Sequence, residues 1–109
     1  PSQWVDVQDI VQQALQYPCR LVVLTGGEPA MYDLTELTNL LKSNGFRVNI
    51  ETSGAYPLSG QLDWITVSPK KFKAPLLKVL AAAHELKVVV FHTSDFKSIQ
   101  WVVNKLYKN

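Results

Sequence analysis

Glu28 and Glu51 are the residues from which a site could be built. Each follows a short aliphatic run and has a glycine within three residues. Leu21-Val22-Val23-Leu24 leads into Thr25-Gly26-Gly27-Glu28-Pro29, and Phe46 to Ile50 leads into Glu51-Thr52-Ser53-Gly54. A third run, Leu62 to Val67, leads into Ser68-Pro69-Lys70. Glycine lets a ligand approach the backbone closely and leaves its N–H groups exposed. A carboxylate suits an ammonium group or a pair of ribose hydroxyls, and a lysine suits a carboxylate. An amino-acid nucleoside presents all three. Taken singly the same residues are ordinary: Gly26-Gly27 is a tight turn, Glu51 a strand-end residue beside one, Ser68-Pro69 a turn opener. The lysines after Pro69 then read as a solvated face and His92 as a surface histidine.

The elements around these residues decide whether they meet. From Val7 the apolar residues Val7, Ile10, Val11, Ala14 and Leu15 keep a helical spacing, with Asp6 placed as N-cap and Tyr17-Pro18 as the stop. Leu21 to Leu24 has the look of a strand covered on both faces. Asp33 is placed to cap a second helix, with Glu36 three residues on as its capping-box partner. Leu34, Leu37, Leu40 and Leu41 form the stripe of that helix, and Gly45 stands just past its end. Phe46 to Ile50 and Leu62 to Val67 predict two more strands, joined by a loop-like link from Glu51 to Gln61. Pro75 opens a short helix through Ala83, and Leu86 to Phe91 predicts a fourth strand. A last helix carries Ile99, Val102, Val103, Leu106 and Tyr107, with Asp95 near its cap.

Strands alternating with helices imply βαβ units and a parallel sheet with right-handed crossovers. The fold class is therefore α/β. Loops leaving the carboxyl ends of such strands gather on one face, where sites are built. Thr25 to Glu28, Glu51 to Gly54, Ser68 to Lys70 and Phe91-His92-Thr93 all lie at such ends, so four loops would frame one site.

Composition narrows the rest. The chain has 109 residues, enough for one domain, 1–109, and its 47% hydrophobic and 18% charged content carries no disorder signature. A net charge of +2, clustered only at Lys70, Lys71 and Lys73, is too mild to argue for nucleic acid. No apolar run approaches the ~20 residues needed to span a membrane, and no signal-peptide pattern opens the chain. Cys19 is the only cysteine, which excludes a disulfide framework and a cysteine metal motif within these residues. It stands at the amino end of a strand, away from the expected site. The cytoplasm is the expected compartment.

Thr-Gly-Gly-Glu-Pro after a strand and before a helix resembles the GGEP element of radical S-adenosylmethionine (SAM) enzymes. The order "NIETSG", "DWITVSPK", "HELKVVV" is similar to the 7-carboxy-7-deazaguanine synthase family, over about Val22 to Val90. GGEP alone points only to the superfamily; SPK followed by ELK narrows it. The resemblance implies a partial (β/α)6 TIM-like barrel, of which this chain would be the central part. It implies a radical SAM lyase that converts 6-carboxy-5,6,7,8-tetrahydropterin to 7-carboxy-7-deazaguanine in queuosine and deazapurine biosynthesis. In that reaction a 4Fe-4S cluster cleaves SAM to methionine and a 5′-deoxyadenosyl radical, which takes hydrogen from the pterin.

Position by position, the resemblance sets Gly27 against the methionyl group of SAM, with Glu28 shaping the amino-acid end of that pocket. Glu51 lies near the SAM ribose, Ser68, Pro69 and Lys70 line the pocket, and Thr25 touches the deazapurine precursor. No residue here matches a catalytic position. The family holds its cluster on a C-x3-C-x2-C loop that also supplies the protein contact to a substrate-bound Mg2+. That loop is absent, since this chain has one cysteine, and thiolates are what such a cluster needs. A complete barrel of this kind takes ~200 residues or more, so the chain is expected to be inactive alone. With strand edges open, it is expected to self-associate or form a homodimer. Another radical SAM activity, such as a glycyl-radical activase, and a non-catalytic α/β module binding a nucleotide or a protein, are the two alternative readings.

Overall fold

The computed structural model describes residues 6 to 71 and 73 to 88. Four strands form one parallel sheet whose spatial order follows the chain: β1 (Leu21–Leu24), β2 (Arg47–Thr52), β3 (Trp64–Val67) and β4 (Glu85–Leu86). Helix α1 (Val7–Leu15) precedes β1, α2 (Thr35–Ser43) joins β1 to β2, and α3 (Leu77–Ala82) joins β3 to β4. These are the parallel βα repeats that the sequence predicts. The link from β2 to β3 carries no helix, also as expected.

Register sorts every strand residue onto one of two faces. Leu24, Ile50 and Ile65 stand in one row, and Thr52, Val67 and Leu86 in another. Along β2, Val48, Ile50 and Thr52 are buried whereas Asn49 and Glu51 are half-buried. The buried set faces the helices, because strand side chains alternate between faces. Val48 joins Val11, Leu41 and Phe46 beneath α1 and α2, and Ile50 joins Leu34, Ile65, Val67, Val79 and Leu80 towards α3. Each fully buried aliphatic here contributes about 1.5–3 kcal/mol. The opposite face is polar towards β4 and open: Leu21 and Val23 of β1 are 47% and 45% exposed.

Several boundaries differ from the sequence expectation, each for a physical reason. The second strand continues through Glu51 and Thr52 because these residues pair with Thr66 and Val67. The third begins at Trp64, and Asp63 brackets its entry: its N–H donates to Val48 O at 2.7 Å, and its Oδ2 accepts from Val48 N–H at 2.8 Å and from Lys42 Nζ at 2.7 Å. Leu34, not Asp33, holds the cap position of α2 and makes no side-chain cap bond, while its N–H donates to Ser59 Oγ at 2.8 Å. Asp33 still accepts from the Thr35 N–H at 3.0 Å, a turn closed one residue early. Helix α3 starts only at Leu77, because Leu76 is extended. Asp6 caps α1 as expected, accepting from Gln8 N–H at 2.9 Å. The fourth strand is described for Glu85–Leu86; its predicted continuation beyond Val88, the His92 loop and the last helix lie outside the described residues.

The helix-free link is anchored by a buried hydroxyl. Thr38, fully buried in α2, donates to Leu34 O at 2.8 Å and accepts from the Gln61 N–H at 2.9 Å. Gly60 passes against this pair with φ of +81°, and a Cβ there would stand 2.8 Å from Leu34 O. Both the left-handed backbone and the lack of room exclude a side chain. Gly60→Ala is therefore expected to destabilise the fold by about 2–4 kcal/mol, from left-handed strain plus overpacking. Urea unfolding of the two proteins measures it; an unchanged midpoint would contradict the packing described.

Candidate functional site

All four strands point the same way, so their carboxyl ends share one edge, and the loops leaving β1, β2 and β3 meet there. Glu28 is the residue that joins two of them. It ends the glycine loop after β1 and caps a short 3-10 turn, Pro29–Met31, accepting from the Ala30 N–H through Oε2 at 3.0 Å. The same oxygen accepts from Thr52 Oγ1 at 2.7 Å, and Oε1 accepts from the Ser53 N–H at 2.8 Å. Burial alone would push the carboxyl up, but hydrogen bonds from Ser53, Thr52 and Ala30 outweigh it and hold the group below its ordinary value. Glu28 is thus an ionised bracket between the loop after β1 and the end of β2.

Thr25, Gly26 and Gly27 are held on the outer side of that bracket and are exposed. Both glycines have positive φ, +81° and +45°, and a Cβ on either would meet no atom within 4 Å. The backbone of this loop therefore fronts open space. Ser68 follows β3 and donates its N–H to Thr52 O at 2.8 Å, which brings the third loop against the same strand end. Ser68 and Pro69 are half-buried and Lys70 is exposed, forming an isolated antiparallel bridge with Lys73. Lys73 reaches back to the loop after β2, donating to the Tyr56 hydroxyl at 2.6 Å. Of the predicted site residues, Glu28 meets the Thr52-Ser53 loop directly, while Glu51 pairs elsewhere.

Glu51 lies on the open face of the sheet, where its Oε1 accepts from Lys87 Nζ at 3.1 Å. Beneath this pair, Glu85 accepts from Thr66 Oγ1 at 2.6 Å and from the Trp64 indole N–H at 3.4 Å. The Thr66 bond first, then Trp64 and the Lys87 charge, hold the Glu85 carboxyl below its ordinary value. His84 stacks on Trp64 with ring centroids 4.9 Å apart, and its Nδ1 accepts from the Ile65 N–H at 3.0 Å. Asn49 carries a buried Oδ1 that accepts no hydrogen bond from the described residues. Sequence reasoning missed Asn49, Trp64, Thr66, Glu85 and Lys87 as a group. Their signal is the two-residue spacing Asn49/Glu51, Trp64/Thr66 and Glu85/Lys87, polar or amphipathic against aliphatic neighbours.

Two groups implied by the resemblance can be tested against these residues. The backbone at Gly27, where an added Cβ would meet no atom within 4 Å, leaves room for an amino-acid nucleoside such as SAM. A 4Fe-4S cluster does not fit: Cys19 is exposed before the amino end of β1. Among the described residues no group of three or more His, Cys, Asp or Glu could hold a metal.

The Glu28 bracket carries a pH signature. Its folded carboxyl is held below its ordinary value by the hydrogen bonds from Ser53, Thr52 and Ala30. Its stabilisation is thus fully present above that value and is lost as pH falls through the folded, lower one. Glu28→Gln turns an amide N–H2 towards donors and is expected to cost about 1–3 kcal/mol at neutral pH. The gap between the two proteins should narrow as pH falls through the lowered value of the folded carboxyl. Urea melts at neutral and acid pH measure this; a gap that widens in acid would contradict the assignment.

No protein-family model matches the chain. Whole-sequence comparison does find relatives. The 7-carboxy-7-deazaguanine synthase of Synechocystis sp. is 47% identical over 100 residues, covering 92% of this chain and 48% of that protein. The synthase of Flavobacterium psychrophilum is 45% identical over 100 residues, 92% of this chain and 47% of its own. In structure the chain is similar to QueE from Escherichia coli, with a TM-score of 0.83 and 35% identity over 94% of this chain and 48% of that one. The chain thus spans about half the length of the curated relatives it matches. Over that span, in sequence and in its parallel βα sheet, it is similar to the 7-carboxy-7-deazaguanine synthases.

Proposed function

We propose that this chain is the central part of one radical SAM barrel domain, where it supplies part of the SAM pocket and one substrate contact. The reaction of the whole protein is the conversion of 6-carboxy-5,6,7,8-tetrahydropterin to 7-carboxy-7-deazaguanine. The observation that carries this reading is the glycine loop: Gly27 fronts open space at the carboxyl edge of the sheet while Glu28 ties the loop to β2. The backbone there receives the methionyl group of SAM, and Glu28 shapes the amino-acid end of the pocket from behind. Glu51 takes the ribose hydroxyls, Ser68, Pro69 and Lys70 line the remaining wall, and Thr25 touches the pterin. When bound, SAM supplies the group that removes hydrogen from the substrate; these residues orient it.

The cluster and the Mg2+ belong to the parent protein, as none of the residues described fits either. The compartment is the cytoplasm. No helix among the described residues is long and apolar enough to cross a membrane, and the partner is a small molecule rather than nucleic acid or membrane. The isolated chain associates with itself, because β1 has no strand on its outer side among the described residues and leaves Leu21 and Val23 exposed there.

SAM binding to the full-length protein tests the pocket. Gly27→Val fills the space at the backbone and strains a positive φ, and is expected to weaken binding about a hundredfold or more, the scale of overpacking. Lys70→Ala removes a donor and is expected to weaken it about tenfold. Isothermal titration calorimetry reads both. Unchanged affinity in both variants would reject the pocket.

A further inference from the structure

The HELK segment is not absorbed by the pocket described above. Three of its residues act on the open face of the sheet, and Lys87 does so in a way that backbone pairing does not require. Its N–H donates to Val67 O at 2.9 Å, which fixes the main chain just beyond β4. Its side chain then crosses the full width of β3 to reach Glu51 on β2, at 3.1 Å. The nearer carboxylate, Glu85, is two residues away on the same face, yet Thr66 and Trp64 hold it. Lys87 thus gives its hydrogen bond to Glu51 and acts on Glu85 through its charge alone.

Stability does not account for this reach. The side chains of Lys87 and Glu51 are 53% and 34% exposed, and a pair so placed contributes little to folding. What the pair does is geometric. It engages Oε1 of Glu51, which restrains the carboxylate and leaves the acceptor capacity of Oε2 for another donor.

We propose that Lys87 is a positioning residue: it holds the Glu51 carboxylate in the orientation that receives a vicinal diol of a nucleoside ligand. This rests on the pocket reading above, in which Glu51 meets the SAM ribose, and extends it to a residue on β4. The ligand class it serves is one with two adjacent hydroxyls on a five-membered sugar. A ligand lacking one hydroxyl gains less from a fixed carboxylate.

The test uses the full-length protein, with calorimetric affinity for SAM and for its 2′-deoxy analogue, and thermal unfolding alongside. Lys87→Met keeps the stem and drops the charge. It is expected to weaken SAM about tenfold, the worth of one hydrogen bond to a charged group. It should also shrink the preference for SAM over the 2′-deoxy analogue and leave the melting temperature in place. Lys87→Arg is expected to restore most of the affinity. With Glu51→Gln as background, Lys87→Met should add no further loss, as for two residues acting as one unit. Normal SAM affinity in Lys87→Met beside weakened affinity in Glu51→Gln would overturn the positioning role and leave the pocket standing. A loss that tracks a lower melting temperature and that arginine does not restore would also overturn it, reducing Lys87 to a structural contact. Unchanged affinity in Glu51→Gln and Gly27→Val together would overturn the pocket and this inference with it.

Discussion

The carboxylate of Glu28 is the contact on which the carboxyl edge of this sheet depends. A loop built on two glycines with positive φ has no side chain of its own to pack, and an extended strand end offers it little to hold. Glu28 supplies the hold by accepting from Ala30, Thr52 and Ser53 at 2.7 to 3.0 Å. Burying a carboxylate is unfavourable unless hydrogen bonds compensate, and here they do so with charge-assisted geometry. One side chain therefore fixes the glycine loop, starts the 3-10 turn and terminates β2. Whatever binds in front of Gly27 meets a backbone that Glu28 holds in place.

The sheet divides its labour by face. Towards the helices, Val48, Ile50, Ile65 and Val67 form the core that carries the stability. Towards the open side, Thr66 donates to Glu85 and Lys87 to Glu51, two polar pairs that shape this face. The strict alternation along β2 ties the two together, because a one-residue slip would exchange them. A core that fixes register thus also fixes where Glu51 points. The relatives that the chain matches are about twice its length, so this sheet corresponds to about half of each.

Much of this was legible in the sequence where the signal is local. Aliphatic runs marked the strands, Asp6 marked the start of α1, and Gly45 marked the end of α2 with φ of +84°. The site was legible only in part. Thr25, Gly27, Ser68 and Lys70 could be placed on loops from strand order, but the partners of Glu28 lie 24 and 25 residues further on, beyond any local pattern. Thr52 and Ser53 read as turn residues by type, whereas β3 extends the strand through Thr52. Thr38 carries no local signal between Leu37 and Leu40, since its partner Gln61 arrives from the β2–β3 link.

The most direct test of the central claim is a backbone-amide NMR titration of the full-length protein with SAM. The account predicts that the largest shifts fall on Gly26, Gly27, Glu51 and Ser68, with Ser53 following through the Glu28 bracket. Saturable binding that leaves Gly26 and Gly27 unmoved, with shifts confined to residues away from the carboxyl edge of the sheet, would contradict it.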